Sequence, residues 1–195
     1  MNNNSFFAFI SRMKYINRWG LMHNSRFENL SEHSFETAYI ANALANIENT
    51  MFNGNFNTER ITVRALFHDC AEIITGDMPT PVKYKSEAMT GVFSQTETNA
   101  KETLLASLPP ELSDIYRQYL YCDNSEEQLI IKAADKLSAL IKCIEEINIG
   151  NHDFSSALKT ISQALEKSPL KSVKYFIDNI LPCFSLTLDQ LTGKE

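Results

Sequence analysis

A chain of 195 residues is long enough to bury a continuous core by itself and fits one domain, residues 1–195. Hydrophobic residues make up 44% and charged residues 22%, as in an ordinary folded protein, and the net charge of −6 excludes a general binder of nucleic acid or anionic membrane, whose phosphate affinity needs an excess of Lys and Arg. A small anionic ligand stays open, because a few local cations and a metal reverse the field within a cleft.

The dominant period along the chain is helical. Phe6, Phe9, Ile10, Met13 and Ile16 recur at steps of three and four and predict a first amphipathic helix, closed by Asn17, Gly20 and Asn24. The apolar run at its start is short and the basic residues Arg12 and Lys14 follow it, the wrong order for a signal peptide. No charge-free stretch approaches a bilayer span, so a cytoplasmic location is expected. Ser31 is the expected N-cap of a second helix running to Asn49, with Phe35, Ala38, Ala41, Ala45 and Ile47 toward the core. After an Asn-rich loop, Asn57 or Thr58 caps a third helix expected to continue through Thr75, with Gly76 as its stop. Pro79 and Pro81 predict an extended segment from Asp77 to Lys83. A polar helix is expected over Ser86–Leu108 and a short one over Glu111–Tyr121. Ser125-Glu126-Glu127-Gln128 has the form of a capping box opening a helix to Asn148, with Gly150 as its stop. Two more helices fit Phe154–Lys167 and Lys171–Ile180, the second broken by Pro182. The four cysteines (Cys70, Cys122, Cys143, Cys183) match no zinc spacing and are expected to be reduced. The expected fold class is all-α, a single helical bundle.

The chemistry centres on Phe67-His68-Asp69-Cys70-Ala71-Glu72. An imidazole and a carboxylate on neighbouring helical residues can converge on one cation, and Glu72 shares that face. A half-exposed polar stripe fits the same residues. Asp135 lies amid the apolar faces of its helix, where a carboxylate needs a cation or several hydrogen bonds; a salt bridge to Lys132, Lys136 or Lys142 is the plainer alternative. His33 stands at a helix start, whose positive dipole end disfavours imidazolium and suits a neutral, metal-binding ring, although a surface histidine near a cap is equally compatible. Taken together the ordered set His…His-Asp…Asp is far more specific than its parts. Two nitrogens and two carboxylates suit a divalent ion, cobalt or manganese first, with magnesium, nickel, iron and zinc admissible.

With these residues goes a series of longer matches: Ile16-Asn17-Arg18-Trp19, Glu28-Asn29-Leu30-Ser31-Glu32-His33-Ser34, Thr75-Gly76-Asp77-Met78-Pro79-Thr80-Pro81-Val82-Lys83-Tyr84 and Lys132-Ala133-Ala134-Asp135. Over nearly its whole length the sequence resembles the HD-domain superfamily of metal phosphohydrolases, and within it the bacterial 5′-deoxynucleotidases. The ligand set identifies only the superfamily; the Arg-Trp element and the Gly-Asp-Met-Pro-Thr-Pro segment narrow it. The resemblance implies hydrolysis of 2′-deoxyribonucleoside 5′-monophosphates by a homodimer. It implies metal ligands at His33, His68, Asp69 and Asp135 and catalytic roles for Glu72 and Arg18. Substrate contacts are implied for Arg18, Trp19, His33, Asp69, Asp77, Met78, Pro79, Thr80 and Asp135. Arg18 would meet phosphate oxygens, Trp19 would wall off a 2′-hydroxyl, and Asp77 or Thr80 would meet the 3′-hydroxyl. Two rivals stand behind this reading: an HD phosphohydrolase of nucleoside triphosphates or alarmones, and a non-catalytic HD-type module.

Overall fold

The computed structural model describes residues 4–83 and 85–193, the side chains of Thr80 and Pro81 excepted. Its helices are α1 (Phe6–Ile10), α2 (Leu30–Met51), α3 (Thr58–Leu66), α4 (Glu72–Thr75), α5 (Thr80–Lys83), α6 (Glu87–Leu105), α7 (Pro110–Leu120), α8 (Ser125–Asn148), α9 (Ser155–Glu166), α10 (Lys171–Tyr175) and α11 (Leu188–Leu191). Short 3-10 segments cover Ser11–Tyr15, His152–Phe154 and Leu181–Ser185, and a π turn covers Phe176–Ile180. Among the described residues the only extended pairing is an isolated antiparallel bridge, Asn17 to Asn29, and no helix is long and apolar enough to cross a membrane. The fold is all-α, as expected.

Where the two long helices begin is decided by asparagine. The Asn29 side chain accepts hydrogen bonds from the Ser31 and Glu32 amides at 3.0 and 3.1 Å, and Glu32 accepts from the Asn29 amide at 3.1 Å. This capping box places the start of α2 at Leu30, so Ser31 lies in the first turn and is not the cap. Likewise Asn124 caps α8, accepting from the Glu126 and Glu127 amides at 2.9 and 3.2 Å. Gln128 turns away toward the Cys122 carbonyl, and the expected Ser125–Gln128 box does not form. Asn57 caps α3 as expected.

The third helix departs from expectation where function is concentrated. It ends at Leu66, residues 67–71 form a tight turn, and α4 resumes at Glu72. In a regular helix the Ala65 carbonyl would accept the Asp69 amide; here it receives the His68 ring at 2.7 Å and the His68 amide at 3.3 Å. Gly76 then stops α4 with φ +74°, a left-handed conformation natural to glycine. Residues 76–79 are irregular, and α5 forms a helical turn where an extended run was expected. Pro81 stands in the first turn of α5, where no helical bond needs its missing N–H. The C-terminal region is likewise more broken than expected: α10 gives way to the π turn, the 3-10 segment holds Pro182, and α11 was not anticipated.

Two apolar clusters frame the turn. The larger joins α2, α3 and α8 through Ile40, Leu44, Ile61, Ala65, Ala134 and Leu137, with α9 and α10 packed against it. The smaller gathers Phe6, Cys70, Leu104, Leu105 and Leu120. With Ala65 in one cluster and Cys70 in the other, the turn carrying His68 and Asp69 is anchored on both sides. Phe35, expected in the core, is instead 66% exposed and pairs with Tyr39 on the surface of α2. The buried stripe runs through Leu30, His33, Thr37, Ala41 and Leu44, and Phe35 falls outside it. All four cysteines are free thiols, with Cys70 and Cys143 buried.

Candidate metal centre and substrate cleft

The buried stripe of α2 that carries the core also carries His33, which is fully buried. Its ring meets two residues one turn apart on α8. Nδ1 lies 3.0 Å from Ser138 Oγ, and Nε2 lies 3.2 Å from Asp135 Oδ1 and 3.6 Å from Asp69 Oδ2. Ser138 donates its hydroxyl proton to Glu36 Oε2 at 2.7 Å, which leaves its oxygen to accept from His33 Nδ1–H. That chain of bonds fixes the tautomer and turns the Nε2 lone pair toward the two carboxylates.

His68 is oriented in the same way by a different partner. Its Nδ1 donates to the Ala65 carbonyl, and its Nε2 stands 3.0 Å from Asp69 Oδ2 without the alignment of a hydrogen bond. One ligand atom from each of His33, His68, Asp69 and Asp135 lies within 4.8 Å of all the others. Ligand bonds of about 2.0–2.2 Å put atoms on opposite sides of an ion roughly 4–4.5 Å apart, so the cluster has the span of a single coordination sphere. The donor set also fits a divalent cation: two imidazoles with outer-shell bonds on their far nitrogens, and two carboxylates whose charge balances the ion. The sequence set these ligands on three helices; His68 and Asp69 lie instead in the turn between α3 and α4. None of the lysines considered for Asp135 is its ion-pair partner among the described residues, and Lys142 pairs with Glu146.

The electrostatics follow from this crowding. Burial opposes a charge on His68, but Asp69 and then Asp135 outweigh it and push the imidazole up to about 9. Burial would raise Asp69, yet His68 and His33 at its sides hold it well below the usual carboxylate range. Asp135 is lowered against its own burial by the neighbouring His33 and His68. Glu72 moves the other way: burial, then Asp69 and Asp77, push it up to about 9. A cation among the four ligands reverses the field that Glu72 feels. Five buried side-chain atoms lack a hydrogen-bond partner among the described residues, and two of them, His68 Nε2 and Glu72 Oε2, are in this cluster or beside it.

Arg18 and Trp19 arrive on the irregular segment between the first 3-10 turn and α2. Arg18 Nη1 lies 3.5 Å from Asp69 Oδ2 and Nε donates to Glu28 Oε2 at 3.4 Å. Burial works against its charge, but Glu28, Asp69 and the more distant Asp135 and Asp77 raise its pKa further. Trp19 packs its ring on Phe154 at 5.3 Å between centroids and donates Nε1–H to Glu28 at 2.9 Å. Asp77 follows Gly76, and its pKa is raised by burial against the pull of Arg18 and the Trp19 main chain. Met78 and Pro79 are half-buried in the same loop; the Thr80 side chain and Tyr84 lie outside the described residues. Three residues assigned no role by sequence reasoning take part in this architecture. Ser138 stands one turn after Asp135 and Glu28 within the longer matches, but neither position announces a role, and nothing in the local pattern pointed to Glu36.

A helical frame that converges two histidines and two aspartates in this way defines an HD-domain phosphohydrolase. A family model described as 5′-deoxynucleotidase YfbR-like matches residues 5–184, and the chain belongs to that family. A 5′-deoxynucleotidase of Photobacterium profundum is 42% identical over 194 residues, covering 98% of this chain and 100% of the relative. One from Photorhabdus laumondii is 46% identical over 191 residues, covering 96% of each. The crystal structure of an HD-domain phosphohydrolase from Listeria innocua matches with a TM-score of 0.82 at 26% identity, over 100% of this chain and 98% of that one. The HD phosphohydrolase of cyanophage S-2L, solved bound to dA and one catalytic Zn2+ ion, shares the fold at a TM-score of 0.63 and 19% identity, over 90% and 95% of the two chains.

Proposed function

We propose that the protein is a metal-dependent 5′-deoxynucleotidase, hydrolysing 2′-deoxyribonucleoside 5′-monophosphates to deoxyribonucleoside and phosphate. The observation that carries this reading is the meeting of four metal-ligand side chains within 4.8 Å, beside a buried carboxylate and an arginine. In this reading His33, His68, Asp69 and Asp135 hold one divalent cation, cobalt or manganese first, which supplies Lewis-acid activation of water and of the phosphoryl group. Glu72 would orient the attacking water, take its proton and pass it to the 5′-oxygen as the P–O bond breaks, so that the deoxyribonucleoside leaves as the alcohol. Arg18 donates to phosphoryl oxygens and offsets charge gathering on them in the transition state. His33, Asp69 and Asp135 also border the phosphate, so they shape its seat as well as the metal's.

Trp19 supplies a rigid wall against C2′ of the sugar. A ribonucleotide would meet both a steric clash and an unpaired buried hydroxyl there. Asp77 or Thr80 is assigned the 3′-hydroxyl, with Met78 and Pro79 on the same side. We assign the whole chain, 1–195, to one HD domain working as a cytoplasmic homodimer. The full-length likeness to 5′-deoxynucleotidases supports the single-domain part of this assignment.

The test is phosphate release by metal-stripped protein resupplied with manganese, cobalt or magnesium, assayed on dAMP, dTMP, AMP and dATP. Metal-dependent release from the deoxymonophosphates, with little from AMP or dATP, is the expected result. Release from dATP alone would move the protein to the triphosphohydrolases. Stoichiometric metal binding without turnover would make it a non-catalytic module. Sedimentation at micromolar concentration checks the dimer.

A further inference from the structure

We infer that Glu28 is the positioning residue of the cleft, holding phosphate-facing Arg18 and sugar-facing Trp19 through a single carboxylate oxygen. The inference rests on the roles proposed above for those two residues. Glu28 Oε2 accepts from Trp19 Nε1–H at 2.9 Å and from Arg18 Nε–H at 3.4 Å. The other oxygen is 4.0 Å from His33 Nδ1, too far for a hydrogen bond. One carboxylate thus adjoins all three groups.

The main chain fixes the donor of this contact as firmly as the acceptor. Arg18 N donates to the Glu28 carbonyl and Leu30 N to the Ile16 carbonyl, both at 2.9 Å, on either side of the Asn17–Asn29 bridge. Glu28 is therefore locked opposite Arg18, one residue before the cap of the helix that carries His33. Trp19 has φ +58°, left-handed backbone that is strained for a bulky side chain. The conformation persists because the surroundings over-determine it: the Trp19 carbonyl accepts from Asn24 at 3.1 Å and from Met22 N at 2.9 Å, and the indole is held between Phe154 and Glu28.

Arg18 is strung in the same manner. Its Nε faces Glu28 and its Nη1 faces Asp69, while Nη2 has no hydrogen-bond acceptor among the described residues. Without Glu28 the guanidinium keeps only its Asp69 contact, and the indole loses its one polar tether. Turnover and discrimination against the 2′-hydroxyl are predicted to fall together, because one atom supports both.

The test compares wild type with Glu28→Ala, Glu28→Gln, Arg18→Ala and Trp19→Ala, each with metal content and melting temperature measured. For E28A, kcat/KM on dAMP falls about tenfold and the dAMP-to-AMP ratio about fivefold, the size expected from loss of a charge-assisted hydrogen bond at each partner. E28Q keeps the shape and a neutral acceptor for the indole, so it retains the ratio while kcat falls about threefold. Because E28Q preserves the packing, it decides the matter even where E28A is unstable. Trp19 is the sole tryptophan, so metal-free E28A also shows a red-shifted, less anisotropic emission that E28Q does not.

Wild-type kcat, ratio and emission in folded, metal-replete E28A and E28Q would overturn the inference. So would loss of turnover in E28A at an unchanged ratio and emission, which a general loosening of the site would produce. If R18A keeps full turnover, or W19A leaves the ratio untouched, the proposed roles fail and the assignment of Glu28 fails with them for that separate reason.

Discussion

At His33, both ring nitrogens are engaged from α8, by Ser138 on one side and Asp135 on the other. The hydroxyl is the orienting half of that clamp. Ser138→Ala removes it without touching a ligand, frees the tautomer and is expected to weaken metal affinity by roughly 10–100-fold, read by titration against a chelator of known affinity. Glu72 belongs to the other class of residue. Its Oε2 is buried without a hydrogen-bond partner among the described residues, and it lies outside the four-residue cluster. Glu72→Gln should therefore retain metal at wild-type stoichiometry while kcat drops roughly 100-fold or more. A variant that lost metal in proportion to activity would place Glu72 among the ligands. At this scale the sequence was informative about identity and poor about environment. The dyad, the distant His33 and Asp135, and the neighbouring Glu72 could all be named from spacing and chemistry. Glu28 and Ser138 could not, because a residue that orients another is recognisable only once the chain has brought the two together.

Among the elements, the segment from Ile16 to Asn29 has no regular structure of its own, and its position is imposed by α8. Glu146, buried on that helix, accepts from Ser25 N at 3.0 Å, Arg26 N at 3.3 Å and Asn151 Nδ2 at 2.7 Å, and pairs with Lys142. Lys142 in turn donates to the Arg26 carbonyl at 2.6 Å, and Asn151 to the His23 carbonyl at 2.7 Å. Burial would raise the Glu146 carboxyl, but these donors, Lys142 foremost, hold it far below the ordinary glutamate value of 4.5. A folded pKa below the unfolded one means that the stabilisation is complete above pH 4.5 and declines as the pH falls below it toward the folded value. Glu146→Gln is expected to cost about 1–3 kcal/mol at pH 7. The gap in melting temperature between it and wild type should narrow as the pH is lowered to 3.5; a gap independent of pH would show that charge plays no part.

The errors in element boundaries share the same physics. Asn29 and Ser31 are both competent caps, and the choice went to the one whose oxygen reaches two amides while Glu32 closes the box. The break after Leu66 has no Gly or Pro to announce it. It arises because the His68 ring competes for a helical carbonyl, a preference expressed only when the ring is needed elsewhere. Phe35 keeps helical spacing with Ala38, and only the packing of α2 on α8 shows that it lies off the buried stripe.

For the whole molecule, the all-α class followed directly from the 3.6-residue period, because few segments offered a strand pattern to compete with it. The convergence of the site did not follow, since it depends on the path of α2, α8 and the intervening turn around one shared core. That convergence predicts linkage between metal and folding. The four ligand candidates come from separate parts of the chain and meet only in the folded state, so under the proposed metal binding a cation at 100 times its dissociation constant should add about 2.7 kcal/mol. For a chain of this size that is roughly 5–10 °C in melting temperature. Asp135→Asn should abolish most of this increment while leaving the metal-free melting temperature within a few degrees; an unchanged increment would remove Asp135 from the ligand set.

The segment from Ile16 to Asn29 and the loop from Gly76 to Pro79 carry Arg18, Trp19 and Asp77 but none of the four clustered metal-ligand residues. In the proposed roles, the sugar-facing Trp19 and Asp77 thus stand on lengths of chain separate from the four metal-ligand candidates, while the phosphate is shared between the two. A tailor could recut the first as an interchangeable cassette, exchanging wall and floor for another sugar or a bulkier leaving group. The blade beneath would stay sharp.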